Sequence, residues 1–378
     1  VCNRKYIAVS APDLSASERT ALLNAFDSSW ISSKGSFVTQ FEEEFASFVG
    51  TRHAISCTNG TSALHLALLS LGISAGDEVI IPDLTYIATA NAVRYVDAEP
   101  VFADCDPHTW NVNPASVRRM LSPRTKAIVG VHLLGVPANA SALRAIADET
   151  GCALVEDAAE TPGAKWEGIG VGSWGDVGTF SFYGNKMITT GEGGAVCTNN
   201  DALANRLRKL RGQAADPHRH YWFDEVGYNY RMTNLACAIG VAQLARYPEI
   251  AEKRRAVRSW YEESFAEARL RATLQQCPPQ AYPAWWMIGT ELDSMPPADR
   301  EATRRILEAR RIETRPFFSA ISSLPIYKGC RTDEGCPIAQ HLGRNGVMLP
   351  THSKLGRDDV HRIVVDLAAA LKETVQTR

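Results

Sequence analysis

Short apolar runs alternate with helical periodicity through roughly the first 250 residues. Val79-Ile80-Ile81, Val101-Phe102, Ala127-Ile128-Val129-Gly130-Val131 and Ala153-Leu154-Val155 read as buried strands. Between them Leu64, Ala67, Leu68 and Leu71 recur at helical spacing up to Gly72, and 142–150 forms a second helical segment closed by Gly151. Such alternation predicts an α/β fold with a mainly parallel sheet covered on both faces. The handedness of its crossovers restricts the topology further.

The texture changes near Pro248. A charged helical pattern spans 249–268, and a Pro-rich stretch follows at Pro278-Pro279-Gln280-Ala281-Tyr282-Pro283. A helix over 298–311 then leads into a strand over 312–318. Val360, Ile363, Val364, Leu367 and Leu371 mark one face of a last helix. The division expected is a large α/β domain over 1–248 and a smaller α+β domain over 249–378.

Composition narrows the class without naming it. The 378 residues carry 40 basic and 42 acidic side chains, a net charge of −2 that gives no field for nucleic acid or an anionic membrane. Arg206-Leu207-Arg208-Lys209-Leu210-Arg211 reads as a solvated helix face. Nine scattered cysteines without paired spacing point to a reducing compartment rather than a disulfide framework. No Cys/His grouping has metal-ligand spacing, so no metal site is expected. Val1-Cys2-Asn3-Arg4-Lys5-Tyr6 lacks the apolar core of a signal peptide, and the most apolar run, 128–143, is too short to span a bilayer and contains His132 and Pro137. A cytoplasmic protein is the expectation.

Three segments carry chemistry. In Asn59-Gly60-Thr61-Ser62-Ala63-Leu64 a strand runs into a helix N-terminus, where unpaired N–H groups and the helix dipole suit an anion. Gly60 allows close approach and Thr61 and Ser62 offer hydroxyls; a plain N-cap is the competing reading. In Val155-Glu156-Asp157-Ala158-Ala159-Glu160 the carboxylate of Asp157 ends a buried strand, where ligand crevices of open α/β sheets form. It could hold a pyridinium nitrogen protonated, or Glu156 or Asp157 could cap the next helix. The third segment, from Gly178 to Gly194, ends a strand in a glycine-dense loop with one lysine, Lys186. Burial would lower its pKa, as a Schiff-base amine requires; the alternative is a lysine in a surface loop. Walker spacing is absent.

In this order and spacing the three segments resemble the DegT/DnrJ/EryC1/StrS family of pyridoxal-phosphate sugar aminotransferases, of fold type I (aspartate aminotransferase-like). The resemblance covers nearly the whole chain, through Trp30-Ile31-Ser32-Ser33-Lys34-Gly35, the run 82–91, Gly227-Tyr228-Asn229-Tyr230-Arg231-Met232-Thr233-Asn234 and Glu313-Thr314-Arg315-Pro316-Phe317-Phe318. It implies that Lys186 carries pyridoxal phosphate as a Schiff base and shuttles protons. Asp157 would pair with the pyridine nitrogen, Glu160 would lie near the ring hydroxyl and Tyr86 would stack on the ring. Gly60, Thr61, Ser62 and Ser181 would bind the phosphate. Asn229 would reach the cofactor of a second subunit, which implies a homodimer. Met187 and Thr161-Pro162 depart from the usual pattern and bear on the pocket wall.

The resemblance also implies an activity. Family members with His at the lysine position are dehydratases, so Lys186 points to amino transfer, with glutamate as donor and a nucleotide-linked keto sugar as acceptor. Within the family the likeness leans toward amination at C4 of a GDP-linked 4-keto-6-deoxymannose. Trp30-Ile31-Ser32-Ser33-Lys34-Gly35, Tyr183-Gly184-Asn185-Lys186, His220-Tyr221-Trp222 and Arg315-Pro316-Phe317-Phe318 carry that leaning. Trp30, Lys34, Tyr183, Arg231, Arg315 and Phe317 are the expected substrate contacts, with Lys34, Arg231 and Arg315 for the diphosphate or, alternatively, for a surface or interface ion pair. Amination at C3, a UDP- or dTDP-sugar, a keto-octulosonate, or a dehydratase stand as alternatives.

Overall fold

A computed structural model describes residues 4–216, 218–270, 272–292 and 297–376. The expectation built on Val1-Cys2-Asn3 therefore lies outside the described residues. The strands are β1 (His53–Cys57), β2 (Glu78–Pro82), β3 (Glu99–Ala103), β4 (Thr125–Val131), β5 (Ala153–Asp157), β6 (Lys165–Trp166), β7 (Ile169–Gly170), β8 (Val177–Ser181), β9 (Gly194–Thr198), β10 (Ala272–Leu274), β11 (Ala281–Tyr282), β12 (Ile288–Leu292), β13 (Arg315–Pro316) and β14 (Gly346–Leu349).

Seven of these form the main sheet, in the order β1-β9-β8-β5-β4-β2-β3. All neighbours pair in parallel except β9, which runs against both β1 and β8. Period-2 alternation splits the apolar runs between two faces. Ile80, Val101, Ile128 and Leu154 pack with Leu143 and Ile146, while Val79, Ile81, Phe102, Val129 and Val155 join the larger core with Phe41, Phe45 and Phe180. Burial on both faces explains why these strands read as unbroken hydrophobic runs.

A second, four-stranded antiparallel sheet, β10-β12-β14-β13, forms around its own core of Tyr261, Ile288, Leu307, Val347, Val360, Ile363 and Leu367. The hairpin β6–β7 takes β11 from the C-terminal part as a third strand. Val360, Ile363, Val364 and Leu367 are buried on the final helix, Arg357–Gln376, as their spacing predicts.

The C-terminal elements depart from expectation in two places. Pro248 does not open a helix: it lies inside one continuous helix, Asn234–Ala268. Proline removes one backbone hydrogen bond there. The helix persists because its first half packs on the helices Ala16–Asp27 and Ser36–Val49 and its remainder on Arg357–Gln376. The strand expected over 312–318 shrinks to Arg315–Pro316, Ile312 pairing instead with Ile7 in an isolated bridge.

No described helix is long and apolar enough to cross a membrane, and no group of His, Cys, Asp or Glu among the described residues could hold a metal ion.

Candidate active site

Because β9 reverses, β1, β2, β4, β5 and β8 all point their C-terminal ends to one edge of the sheet, and the candidate residues follow those ends. Gly60 follows β1; Tyr86 and Thr89 follow β2; Asp157 ends β5 and Glu160 follows it; Ser181 ends β8 and Lys186 lies in the loop back to β9. Such an edge is where open α/β sheets bind ligands.

Glu156 and Asp157 are neighbours on β5 and face opposite ways. Glu156 is wholly structural: its carboxylate accepts from the amides of Gly172 (2.9 Å), Trp174 (2.7 Å) and Gly175 (2.8 Å) and pairs with buried His132 at 3.1 Å. His132 Nδ1 accepts from the Ala138 amide at 2.9 Å, which leaves its Nε2 proton for Glu156. Asp157 faces the crevice. It accepts from Thr89 Oγ1 at 2.8 Å and from the Ala159 amide at 3.2 Å. Burial pushes its carboxyl above the ordinary range, against the Thr89 and Ala159 bonds and the nearby Lys186 and His132.

The Lys186 side chain is largely buried in the same crevice, 12% exposed. Its Nζ lies 3.9 Å from Glu160 Oε1 and 3.8 Å from the centroid of the Trp286 ring. Burial lowers its pKa, opposed by Glu160 and Asp157. Glu160 is held by the Leu134 amide at 2.6 Å, and burial raises its pKa to about 7 against the pull of Lys186 and that amide. Both shifts favour a neutral amine facing a protonated acid.

At the helix Gly60–Ser70, Asn59 is the N-cap, and Ser62 completes a reciprocal capping box. The Asn59 side chain accepts from the Ser62 amide at 2.8 Å, and Ser62 Oγ accepts from the Asn59 amide at 3.1 Å and donates to the Asn59 carbonyl at 2.8 Å. Ser62, expected as a phosphate ligand, thus has its hydroxyl committed to the cap, a correction that follows from its place as the third helical residue. Of the four N–H groups a helix start leaves unbonded, the box takes two and leaves those of Gly60 and Thr61. A Cβ on Gly60 would sit 2.8 Å from Ser181 Cβ, so the two phosphate candidates adjoin. A Cβ on Gly194, which opens β9, would meet the Asn59 carbonyl oxygen at 2.5 Å, so glycine there lets the helix start seat against β9.

Among the other expected residues, Tyr86 is 58% exposed at the crevice with its ring 5.9 Å from that of Phe318. Phe317, expected as a sugar contact, is instead a core residue, 3% exposed and edge-on to Trp110 at 5.4 Å. Phe318, just past the end of β13, and not Phe317, is the ring beside Tyr86. Trp30, Lys34, Tyr183, Asn229, Arg231 and Arg315 are surface residues, and of these Tyr183 meets Lys186 through the backbone, its carbonyl accepting from the Lys186 amide at 2.9 Å. Arg231 donates to Asn229 at 3.2 Å, and Arg315 lies 3.9 Å from Glu313. Asn234 ties the Trp30 loop to the long helix, donating to the Trp30 carbonyl at 2.6 Å. Met187 is buried in the main core. Sequence reasoning missed Trp286 and assigned no role to Thr89. Thr89 lies within the run 82–91, but Trp286 comes from the C-terminal half and carries no local signal.

The residues fit pyridoxal phosphate: two free amides beside Thr61 and Ser181 for a phosphate, a buried acid for a ring nitrogen, and a buried amine for an aldehyde. Fold and site together define a pyridoxal-phosphate-dependent enzyme of the aminotransferase type. Residues 12–368 match the model of the DegT/DnrJ/EryC1/StrS aminotransferase family, and the chain belongs to that family of sugar aminotransferases. It is 45% identical to the GDP-perosamine synthase of Caulobacter vibrioides over 97% of this chain and 98% of that one. It is 39% identical to the GDP-perosamine synthase of Vibrio cholerae over 94% and 97%. The solved aminotransferase TlmJ from Streptoalloteichus hindustanus superposes with a TM-score of 0.91 at 29% identity, covering 98% of this chain and all (100%) of that one.

Proposed function

We propose that this aminotransferase moves the amino group of glutamate to C4 of a GDP-linked 4-keto-6-deoxymannose, giving GDP-perosamine. The observation that carries the amino-transfer reading is the Lys186 amine, buried 3.9 Å from Glu160 in the crevice that Asp157 faces. Identity of 45% with a GDP-perosamine synthase over nearly the full length supports the choice of sugar nucleotide.

When bound, pyridoxal phosphate supplies the aldehyde carbon that takes up nitrogen and a ring that accepts an electron pair. Gly60, Thr61 and Ser181 would hold its phosphate, and Asp157 would keep a proton on its ring nitrogen. Tyr86 would cover the ring face. Lys186 would take the proton from the α-carbon of glutamate and later return one to the sugar carbon, acting as base and then acid. Burial keeps that amine's pKa low against the opposing charge of Glu160, whose carboxyl lies 3.9 Å from it. A homodimer completes the reading, with Asn229 reaching the phosphate held by a second copy, and Lys34, Arg231 and Arg315 serving the sugar-nucleotide diphosphate. A large cofactor-binding unit over 1–248 and a smaller one over 249–378 is the matching domain division.

The test is a panel of nucleotide keto sugars incubated with the protein and glutamate, the products read by mass spectrometry and NMR. The expected product carries nitrogen at C4 of the GDP-linked sugar, with UDP- and dTDP-linked analogues at least about a hundredfold slower in kcat/KM. Nitrogen at C3, or a deoxygenated ketone without nitrogen, overturns the assignment.

A further inference from the structure

We propose that Trp286 is the positioning residue of the reactive amine, its indole face seating Lys186 Nζ near Glu160. The inference rests on the reading of Lys186 as the cofactor lysine. Two contacts flank the amine, and neither is a hydrogen bond. Nζ stands 3.8 Å from the Trp286 ring centroid and 3.9 Å from Glu160 Oε1. A tight hydrogen bond would sequester the nitrogen lone pair. A ring face at 3.8 Å and a carboxyl group at 3.9 Å restrict where the amine can sit without a short hydrogen bond to its lone pair.

Trp286 also holds the loop that carries the lysine. Its Nε1 donates to the carbonyl of Asn185, the residue before Lys186, at 2.8 Å. Its own backbone is pinned from two sides. The Trp286 carbonyl accepts from the buried Arg254 guanidinium at 3.0 Å, and a second nitrogen-to-oxygen contact from the same Arg254 group goes to the Thr351 carbonyl. The turn Leu133–Gly135 packs against it, with Ala284 N–H donating to the Gly135 carbonyl at 2.8 Å and Met287 N–H to the Leu134 carbonyl at 3.2 Å. Gly135, at φ +100°, leaves no room for a side chain because a Cβ there would run into the Trp285 and Trp286 backbone. The neighbouring Leu134 amide is the donor that fixes Glu160. Both flanks of the amine therefore trace to one turn after β4, which registers the C-terminal sheet against the lysine.

The experiment compares wild-type holoenzyme with Trp286→Phe, which keeps a ring face, and Trp286→Leu, which removes it, with Trp286→Met replacing the Leu variant should that one fail to fold. Four quantities are read: the pH midpoint of the visible absorbance of bound cofactor, kcat and KM for glutamate, and the melting temperature. The face-less variant is expected to shift the midpoint by at least about half a pH unit and to lower kcat about tenfold, with KM within about twofold. The Phe variant is expected to hold the midpoint and keep kcat within about threefold. A face-less variant matching wild type in midpoint and kcat overturns the inference, as does a Phe variant that falls as far as Leu at unchanged melting temperature. A wild-type protein without the visible band overturns the cofactor reading and this inference with it; a normal band with an unmoved midpoint in every variant overturns this inference alone.

Discussion

Thr89 Oγ1 donates a 2.8 Å hydrogen bond to Asp157 Oδ2, joining the first turn of the helix after β2 to the end of β5 inside a buried crevice. The bond stabilises the ionised carboxylate against a burial that favours the neutral acid. Replacing Thr89 by Val keeps the shape and removes the donor. A buried hydrogen bond to a charged group is worth about 2 kcal/mol, so cofactor affinity is expected to weaken roughly thirtyfold. Equilibrium dialysis of pyridoxal phosphate against the variant checks this, and unchanged affinity would count against Asp157 as the ring-nitrogen partner.

Lys186→Ala removes the buried amine without a large change in packing. The visible band of the bound cofactor is expected to vanish and turnover to fall by about a thousandfold or more. Spectra and rates measured on the same preparation, with its melting temperature, separate lost chemistry from lost fold.

Gly60→Ala tests the phosphate cradle. Its Cβ would stand 2.8 Å from Ser181 Cβ, so the helix start or Ser181 must move. Cofactor affinity is expected to drop at least about tenfold, while alanine's better helix propensity limits the loss of stability. Titration calorimetry and thermal unfolding read the two effects apart.

Glu160 makes a pH prediction with a definite sign. Its carboxyl titrates near pH 7 in the folded protein and near 4.5 when unfolded, so the folded state holds a proton that the unfolded state releases first. The stability this group contributes is complete below about pH 4.5 and is lost as pH rises through 7. Glu160→Gln removes that dependence. The melting temperature of wild type is expected to fall relative to the Gln variant between pH 4.5 and 7.5, as differential scanning calorimetry can show; parallel curves would refute the shift.

Much of this was legible in the sequence for a local reason. Lys186, Asp157 and Gly60 each lie at or just beyond the end of a buried strand, and strand ends announce themselves through apolar runs that stop at glycine or acid. What escaped was decided by packing. Proline reads as a helix stop, yet Pro248 continues a helix braced on both halves. Phe317 and Phe318 are alike in sequence, and only their tertiary partners, Trp110 for one and Tyr86 for the other, tell them apart. The Ser62 hydroxyl had two available uses, and the capping box took it. Trp286 reaches Lys186 from the segment between β11 and β12, a juxtaposition no spacing rule encodes.

The reversed strand β9 has a consequence for how the enzyme can diversify. Running against its neighbours, it closes the Lys186 segment into a hairpin whose two legs are laced to the same sheet, Ser181 opposite Gly194. The nucleophile and the floor of the anion cradle thereby ride on one stiff clip. Outlying loops such as those bearing Trp30 and Tyr221 are free to drift toward new acceptors, while a single residue inserted between positions 182 and 193 would throw both out of alignment at once.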